Sequence, residues 1–181
     1  MAVRRRRRGW VNAVLLLFGF VLVGYAALSL WPSNVAEAPA ETAMRLDVPE
    51  LSRAQDVPVY GAAGDDTAAL DAGAIHLDGT GFPWEAGSNV YIAAHRLGYA
   101  GTGSFLLFYD LDKLENGDEV VLTDSGGTEY TYSVFRKFVI EPTETQVTEP
   151  VAGKNVVTLQ TCTLPDYSQR LVVQAELTTV A

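Results

Sequence analysis

The sequence predicts an all-β domain, a barrel or sandwich with short helices, behind one N-terminal transmembrane helix. Three observations carry this: an uncharged run of membrane-spanning length at Trp10–Trp31, a Pro- and Ala-rich stretch after it, and then short apolar or alternating runs divided by turn residues. With 181 residues there is room for one domain and its appendages. Hydrophobic residues make up 48% and charged residues 19%, too apolar a balance for a disordered chain. The net charge of −9 hides a split. Arg4 to Arg8 form a basic tip, and the remaining 8 basic residues face 22 acidic ones, which leaves a body of net −14. A phosphate-binding surface needs clustered Lys and Arg on the folded part, so no nucleic-acid partner is expected.

Residues 1–9 are read as a cytoplasmic basic tail and residues 10–31 as the anchor. A helix crosses ~30 Å of hydrocarbon with roughly 20 apolar residues. Asn12 and Ser29 are the strongly polar members of the run, and Trp10 and Trp31 stand at its ends, where indole favours the headgroup boundary. The arginines hold their end inside, so the expected protein is a single-pass cell-membrane protein with its folded part outside. A cleaved signal peptide is the rival reading, since Ala36-Glu37-Ala38 has suitable small residues. Its apolar core would normally be about 7–15 residues, shorter than this run.

Residues 32–57 lack any period of 2 or 3.6 and are rich in Ala, Glu, Pro, Ser and Thr, the composition of a spacer. Met44–Val48 alternates and is either a first edge strand or the end of that spacer. The domain is then 58–181. Asp66 is a candidate cap for a short helix from Thr67. Asn89–Ala94 is an apolar strand running into His95. Ser104–Leu114 has room for a turn or two of helix before the Glu115–Asp118 turn. Glu119–Thr123 and Glu129–Arg136 flank Asp124-Ser-Gly-Gly-Thr128, a hairpin signal. Phe138–Ile140 stops at Pro142. Asn155–Thr161 reads as a buried strand. Arg170–Leu177 alternates, with Leu171, Val173, Ala175 and Leu177 on one face and Arg170, Val172, Gln174 and Glu176 on the other.

One cysteine excludes a disulfide framework, and with two histidines it leaves no multi-cysteine metal site. No acidic cluster has calcium-loop spacing, so neither metal nor cofactor is expected. A lone thiol is either a small buried hydrophobe or a nucleophile. Cys162 ends an apolar strand and opens into a loop, where side chains leave the core. His95 has the same address on another strand. Imidazole titrates near neutrality and is the usual partner of a thiolate. Arg170 stands at the loop-to-strand boundary after the thiol, where its guanidinium suits an oxyanion, or else pairs with Asp166 or Glu176. His76 is read as structural. Phe105–Tyr109 packs in the core or lines a groove.

At these residues the sequence resembles the sortase family. Thr158-Leu-Gln-Thr-Cys162 followed by Arg170-Leu-Val-Val-Gln-Ala is similar to the family's Thr-Leu-x-Thr-Cys and downstream Arg, and Ile92-Ala-Ala-His95-Arg is similar to its histidine strand. Phe105 to Leu114 with Asn116-Gly-Asp118 resembles the intervening stretch. The resemblance implies an eight-stranded β-barrel and a cysteine transpeptidase. Cys162 would attack the Thr–Gly carbonyl of a Leu-Pro-x-Thr-Gly type sorting motif to give a thioacyl intermediate. His95 would move the protons and Arg170 would hold the oxyanion, with Thr161 and Tyr99 contacting substrate. Its partners would be sorting-motif-bearing surface proteins and an amine nucleophile of a cell-wall precursor or a pilin. Ala94 replaces the family's usual Gly before the histidine. Tyr99 and the Ala-, Arg- and Val-rich composition resemble class E sortases, similar to housekeeping sortases but favouring Leu-Ala-x-Thr-Gly. With no second membrane span in the sequence, a pilin-polymerising enzyme is the alternative rather than the first expectation.

Other cysteine enzymes fit less well. L,D-transpeptidases carry Ser-x-Gly-Cys-x-Arg, whereas here Gln160-Thr-Cys162-Thr lacks the glycine and Arg170 follows too far on. Papain-like enzymes place Cys before His, and caspase-like ones need Gln-Ala-Cys-x-Gly, where position 164 is Leu. A tethered β-barrel binding module without chemistry is the remaining rival.

Overall fold

The computed structural model describes residue 39 and residues 41–181. The expected basic tail 1–9, the anchor 10–31 and the first part of the spacer lie outside the described residues. The strands are β1 (Met44–Asp47), β2 (Val57–Ala62), β3 (Ala74–Leu77), β4 (Asn89–Ala93), β5 (Glu119–Asp124), β6 (Glu129–Ile140), β7 (Val156–Cys162) and β8 (Arg170–Val180). They close into a barrel in the order β1-β2-β3-β4-β7-β8-β6-β5, with β5 returning to β1. Two neighbouring pairs are parallel, β2 with β3 and β4 with β7. Parallel strands need a crossover. The first is made by a short helix, α1 (Thr67–Ala72), whose N-terminus is capped by the Asp66 carboxylate accepting from Ala69 N at 3.0 Å. The second is β5, β6 and their connections.

The period of two decides what faces where. Val90 and Ile92 of β4, Val157 and Leu159 of β7, and Leu171, Val173 and Ala175 of β8 point into the core. Their alternate residues point outward. Several of these are buried all the same, because the connection 141–155 lies over the outer face of β4, β7 and β8. A chain of polar groups, exposed at Arg136 and buried from Gln174 onward, ties it down: Arg136 Nε donates to Gln174 Oε1 (2.6 Å), Gln174 Nε2 to Thr158 Oγ1 (2.9 Å), and Thr158 Oγ1 to Asn89 Oδ1 (2.7 Å). Asn89 Nδ2 then donates to the carbonyls of Val147 and Glu149 at 2.9 Å each. Every member of that chain has a partner, which is the condition under which buried polar groups stabilise a unique arrangement.

Three segments differ from expectation. Met44–Asp47 is a barrel strand paired on both edges, so folded structure begins inside the stretch read as spacer. β6 continues without a break to Ile140, and its register shift between Val134 and Arg136 is a bulge that changes which side chains face β8. Ser104–Leu114 forms turns with one 3-10 turn at Leu111–Lys113. Helix is prevented there by Leu106, held at φ 57° while its N–H bonds Leu97 O (2.8 Å), and by Phe108 N bonding His95 O (3.2 Å). Leu107 and Phe108 are in the core, whereas Phe105 and Tyr109 are exposed beside Arg53 and Arg96.

His76, on β3, is 4% exposed; its Nε2 donates to Gly81 O at 3.0 Å and its ring packs on Phe82. Burial lowers its pKa. The folded state therefore resists a proton that the unfolded chain takes up below about pH 6.5, so stability is unaffected above that pH and falls as pH drops through it. A His76→Phe variant is expected to lose a few degrees less Tm between about pH 7 and about pH 5 than the parent. Thermal melts across that range check this, and parallel curves for the two proteins count against it.

Candidate active site

β7 ends at Cys162, and the outward set of that strand is Thr158, Gln160 and Cys162, while Thr161 points inward. Antiparallel pairing places Arg170 directly opposite Cys162, so both side chains project on the same outer face at one end of the barrel. β4 runs parallel to β7 with Ala93 beside Gln160. The ladder continues one step: Ala94 N donates to Gln160 O (3.1 Å), and Thr161 Oγ1 donates to Ala94 O (2.8 Å). His95 leaves the barrel from that fixed peptide at the level of the thiol.

Two clefts meet at this point. The first, about 270 Å³, has a floor of Ile75, Tyr91 and Ala93, a roof from the connection 141–155, and an end closed by His95, Cys162 and Arg170. The second, about 290 Å³, lies between the loops after β4 and after β7 and is bounded by Leu97, Tyr99 and Tyr167. Among the described residues, Cys162 and His95 alone line both. The expected Cys162, His95 and Arg170 are thus brought together. Cys162 is partly exposed, and the His95 side chain is 31% exposed.

Arg170 Nη1 donates to the carbonyls of Tyr167 and Gln169 at 3.1 Å each, which orients the guanidinium from the loop. Its rival role as a surface ion pair has no support among the described residues: Asp166 accepts from Ser168, and Glu176 pairs with Lys154. Hydrogen bonds from Ser168 also lower the Asp166 pKa. Within the first cleft the Tyr91 hydroxyl donates to Gln160, and burial raises its pKa, so it stays a neutral donor.

The two further residues implied by the resemblance behave differently from each other. Tyr99 is 60% exposed, with its ring edge-on to His95 at 5.9 Å between centroids, at the mouth of the second cleft. Thr161 is among the residues lining the first cleft, but it is 1% exposed and its hydroxyl donates to Ala94 O, the carbonyl of the peptide that leads into His95. His76 is not among the residues lining either cleft. Neither is any residue of Phe105–Tyr109.

One neighbour of the site had no signal in the sequence. Asp71, on α1, places Oδ1 3.0 Å from His95 Nε2. The hydrogen-bonded cap of α1 was legible, but the face it turns to the barrel follows only from how the β2–β3 crossover docks.

A domain model for sortases matches residues 46–178, nearly the whole barrel and all of the cleft residues named. The chain belongs to the sortase family. Sortases are cysteine transpeptidases, and the eight-stranded barrel is the sortase fold. This sortase is 30% identical over 123 residues to sortase A of Streptococcus agalactiae serotype III, a match covering 67% of this chain and 48% of that protein, so the chain spans about half the length of that curated relative. Among solved structures it is similar to the lid mutant of sortase A from Corynebacterium diphtheriae, with TM-score 0.66, 29% identity and coverage of 81% of this chain and 74% of that one. It is also similar to Clostridium perfringens sortase C, solved with the C-terminal cell wall sorting motif, with TM-score 0.64, 27% identity and coverage of 74% and 69%.

The loop that follows His95 is pressed against the end of α1. A Cβ on Gly103 would fall 2.1 Å from Ala72 O, whereas one on Gly101, in the same loop at φ +87°, would meet nothing within 4 Å. Gly101→Ala is expected to cost about 1 kcal/mol for the left-handed backbone. Gly103→Ala is expected to cost more, about 2–3 kcal/mol, because backbone must give way. Urea denaturation of the two variants checks the order, and equal midpoints would contradict the close approach.

Proposed function

We propose that this sortase cleaves a Leu-Pro-x-Thr-Gly or Leu-Ala-x-Thr-Gly type sorting motif between Thr and Gly and transfers the threonine carbonyl to an amine of the cell wall. The domain works outside the membrane, tethered by the segment 10–31. What carries the reading is the cross-strand pair of Cys162 and Arg170 on the cleft face, with His95 lining the same cleft.

The steps follow from those positions. The Cys162 thiolate attacks the threonine carbonyl carbon, and the Arg170 guanidinium stabilises the oxyanion. As the tetrahedral species collapses, the C–N bond breaks and the glycine amine leaves with a proton from the His95 imidazolium. A thioester joins Thr to Cys162. An incoming amine then attacks the thioester carbon and gives its proton to neutral His95. The C–S bond breaks, the amide forms and the thiolate returns. The acyl donor occupies the first cleft, whose apolar floor suits the Leu and Pro or Ala of the motif. The amine enters by the second, past Tyr99 and Tyr167. A base lining both clefts serves both halves of the reaction.

The C-terminal cell wall sorting motif with which the C. perfringens relative was solved supports the substrate class. A pilin lysine is the second reading for the amine, favoured by that relative being a sortase C. The Leu-Ala motif is the first expectation for this chain, from its likeness to class E.

The full-length protein in detergent is expected to cleave fluorescent peptides of both motif types in the presence of triglycine or a lysine peptide. Cys162→Ala, His95→Ala and Arg170→Ala should each lower the rate by about 10²–10⁴-fold. Undiminished cleavage by Cys162→Ala would sink the mechanism. The faster motif and the preferred amine assign the subclass.

A further inference from the structure

The proposed reaction leaves the Asp71–His95 contact without a role. Asp71 Oδ1 lies 3.0 Å from His95 Nε2, which engages one ring nitrogen from the α1 side and leaves Nδ1 for the thiol and the reacting amines. We infer that Asp71 is a positioning residue, which fixes the ring orientation and the tautomer of His95. The inference rests on the transpeptidase reading above for its kinetic part.

The chemistry is direct. An ionised carboxylate only accepts hydrogen bonds, so the proton of neutral His95 is held at Nε2 and the lone pair is presented at Nδ1. When His95 is protonated, both nitrogens carry protons: the Nε2 proton stays on Asp71 and the Nδ1 proton is the mobile one. The ring then need not turn between the two half-reactions.

Two observations set this apart from an incidental surface pair. Asp71 occupies the last turn of α1, beside the helix's unpaired carbonyls, where a carboxylate is the less favourable charge. The helix itself therefore gains nothing from it. The second is the docking of α1. Gly103 packs so closely on Ala72 O that the loop leaving His95 and the end of α1 act as one piece, with Asp71 next to the contact. Asp71 and His95 side chains are 41% and 31% exposed, and such a pair adds little to stability. Loss of Asp71 should therefore register in the reaction and scarcely in the melting curve.

Other charged or titratable groups facing the His95 clefts are Tyr91 from β4, Cys162 from β7, Arg170 from β8, Tyr99 and Arg96 from its own loop, Tyr167 from the loop after β7, and Glu141 and Glu144 from the connection 141–155. None of the hydrogen bonds found for these groups goes to a His95 ring nitrogen.

The test uses the full-length protein in detergent, labelled with ¹⁵N-histidine. The chain has two histidines, so His95→Gln assigns the spectrum and His76 serves as internal reference. Neutral His95 is expected as the Nε2-protonated tautomer, and Asp71→Ala should mix or invert the tautomers while leaving His76 signals and Tm unchanged. In peptide cleavage with triglycine, Asp71→Ala should lower kcat about tenfold or more with KM within about twofold, and its pH–rate profile should shift. Asp71→Glu should restore part of kcat, and Asp71→Asn, which keeps an acceptor without the charge, should fall between. Unchanged tautomer signals or an unchanged kcat in Asp71→Ala overturn the inference, as does a kcat loss matched by a loss of Tm. The spectrum is read without turnover, so failure of the transpeptidase reading, seen as Cys162-independent cleavage, is told apart from failure of this one.

Discussion

The site depends on β7 being hydrogen-bonded along both edges, parallel to β4 and antiparallel to β8. Parallel pairing brings the exits of β4 and β7 to the same end of the barrel, and antiparallel pairing brings the entry of β8 there too. A strand in that position cannot slip by one residue without turning Val157 and Leu159 out of the core and Thr158 and Gln160 into it. The same register that buries the hydrophobic set thus places Cys162 on the cleft face and Arg170 across from it. The geometry of the cleft residues is a by-product of core packing, enforced by the whole barrel rather than by local contacts.

The floor of the first cleft is fixed by the same sheet, but its roof needs a separate device. Residues 141–155 form little regular structure, a single 3-10 turn at Thr145–Thr148. What holds the connection over the sheet is the polar chain from Arg136 through Gln174 and Thr158 to Asn89, whose amide grips two carbonyls of the connection. Four adjacent strands contribute one member each, so the roof is referenced to the register that sets the thiol. Gln169 on Glu141, at 2.7 Å, adds a tie between the roof and the loop that orients Arg170.

Much of this was legible in the chain. Cys162, His95 and Arg170 could be singled out because each stands where an apolar or alternating run meets a loop, and the two faces of β8 were read correctly from their alternation. The neighbours of these residues were not legible, for reasons that differ. Strands β2 and β3 are short and hold a Pro, a Gly and a His, so their period is faint. β1 alternates but lies in a stretch whose composition matches a spacer, and its pairing with β2 and β5 decides for the strand between the two readings left open. The Ser104–Leu114 run has helical composition, but bonds to Leu97 and His95 outweigh that propensity. Thr161 was placed on the substrate side because it adjoins the thiol. Adjacency along a strand means opposite faces, and the alternation that exposes Cys162 buries Thr161. Asp71 had no signal at all, since the meeting of α1 with the loop after β4 joins elements far apart in the chain.

The division of labour around His95 follows from where its partners originate. Thr161 anchors the peptide just before it from the barrel side, Phe108 N donates to the His95 carbonyl, and Asp71 reaches its ring from the crossover helix. Backbone position is therefore set by β7 and the loop, while ring position is set by α1. In the proposed reaction His95 gives a proton to one amine and takes a proton from another, and a base with that task gains most from a fixed ring and least from a fixed charge. Two half-exposed groups satisfy that requirement well: the pair is wet enough to exchange protons with solvent between turnovers, and the carboxylate is directional enough to keep the ring facing both clefts.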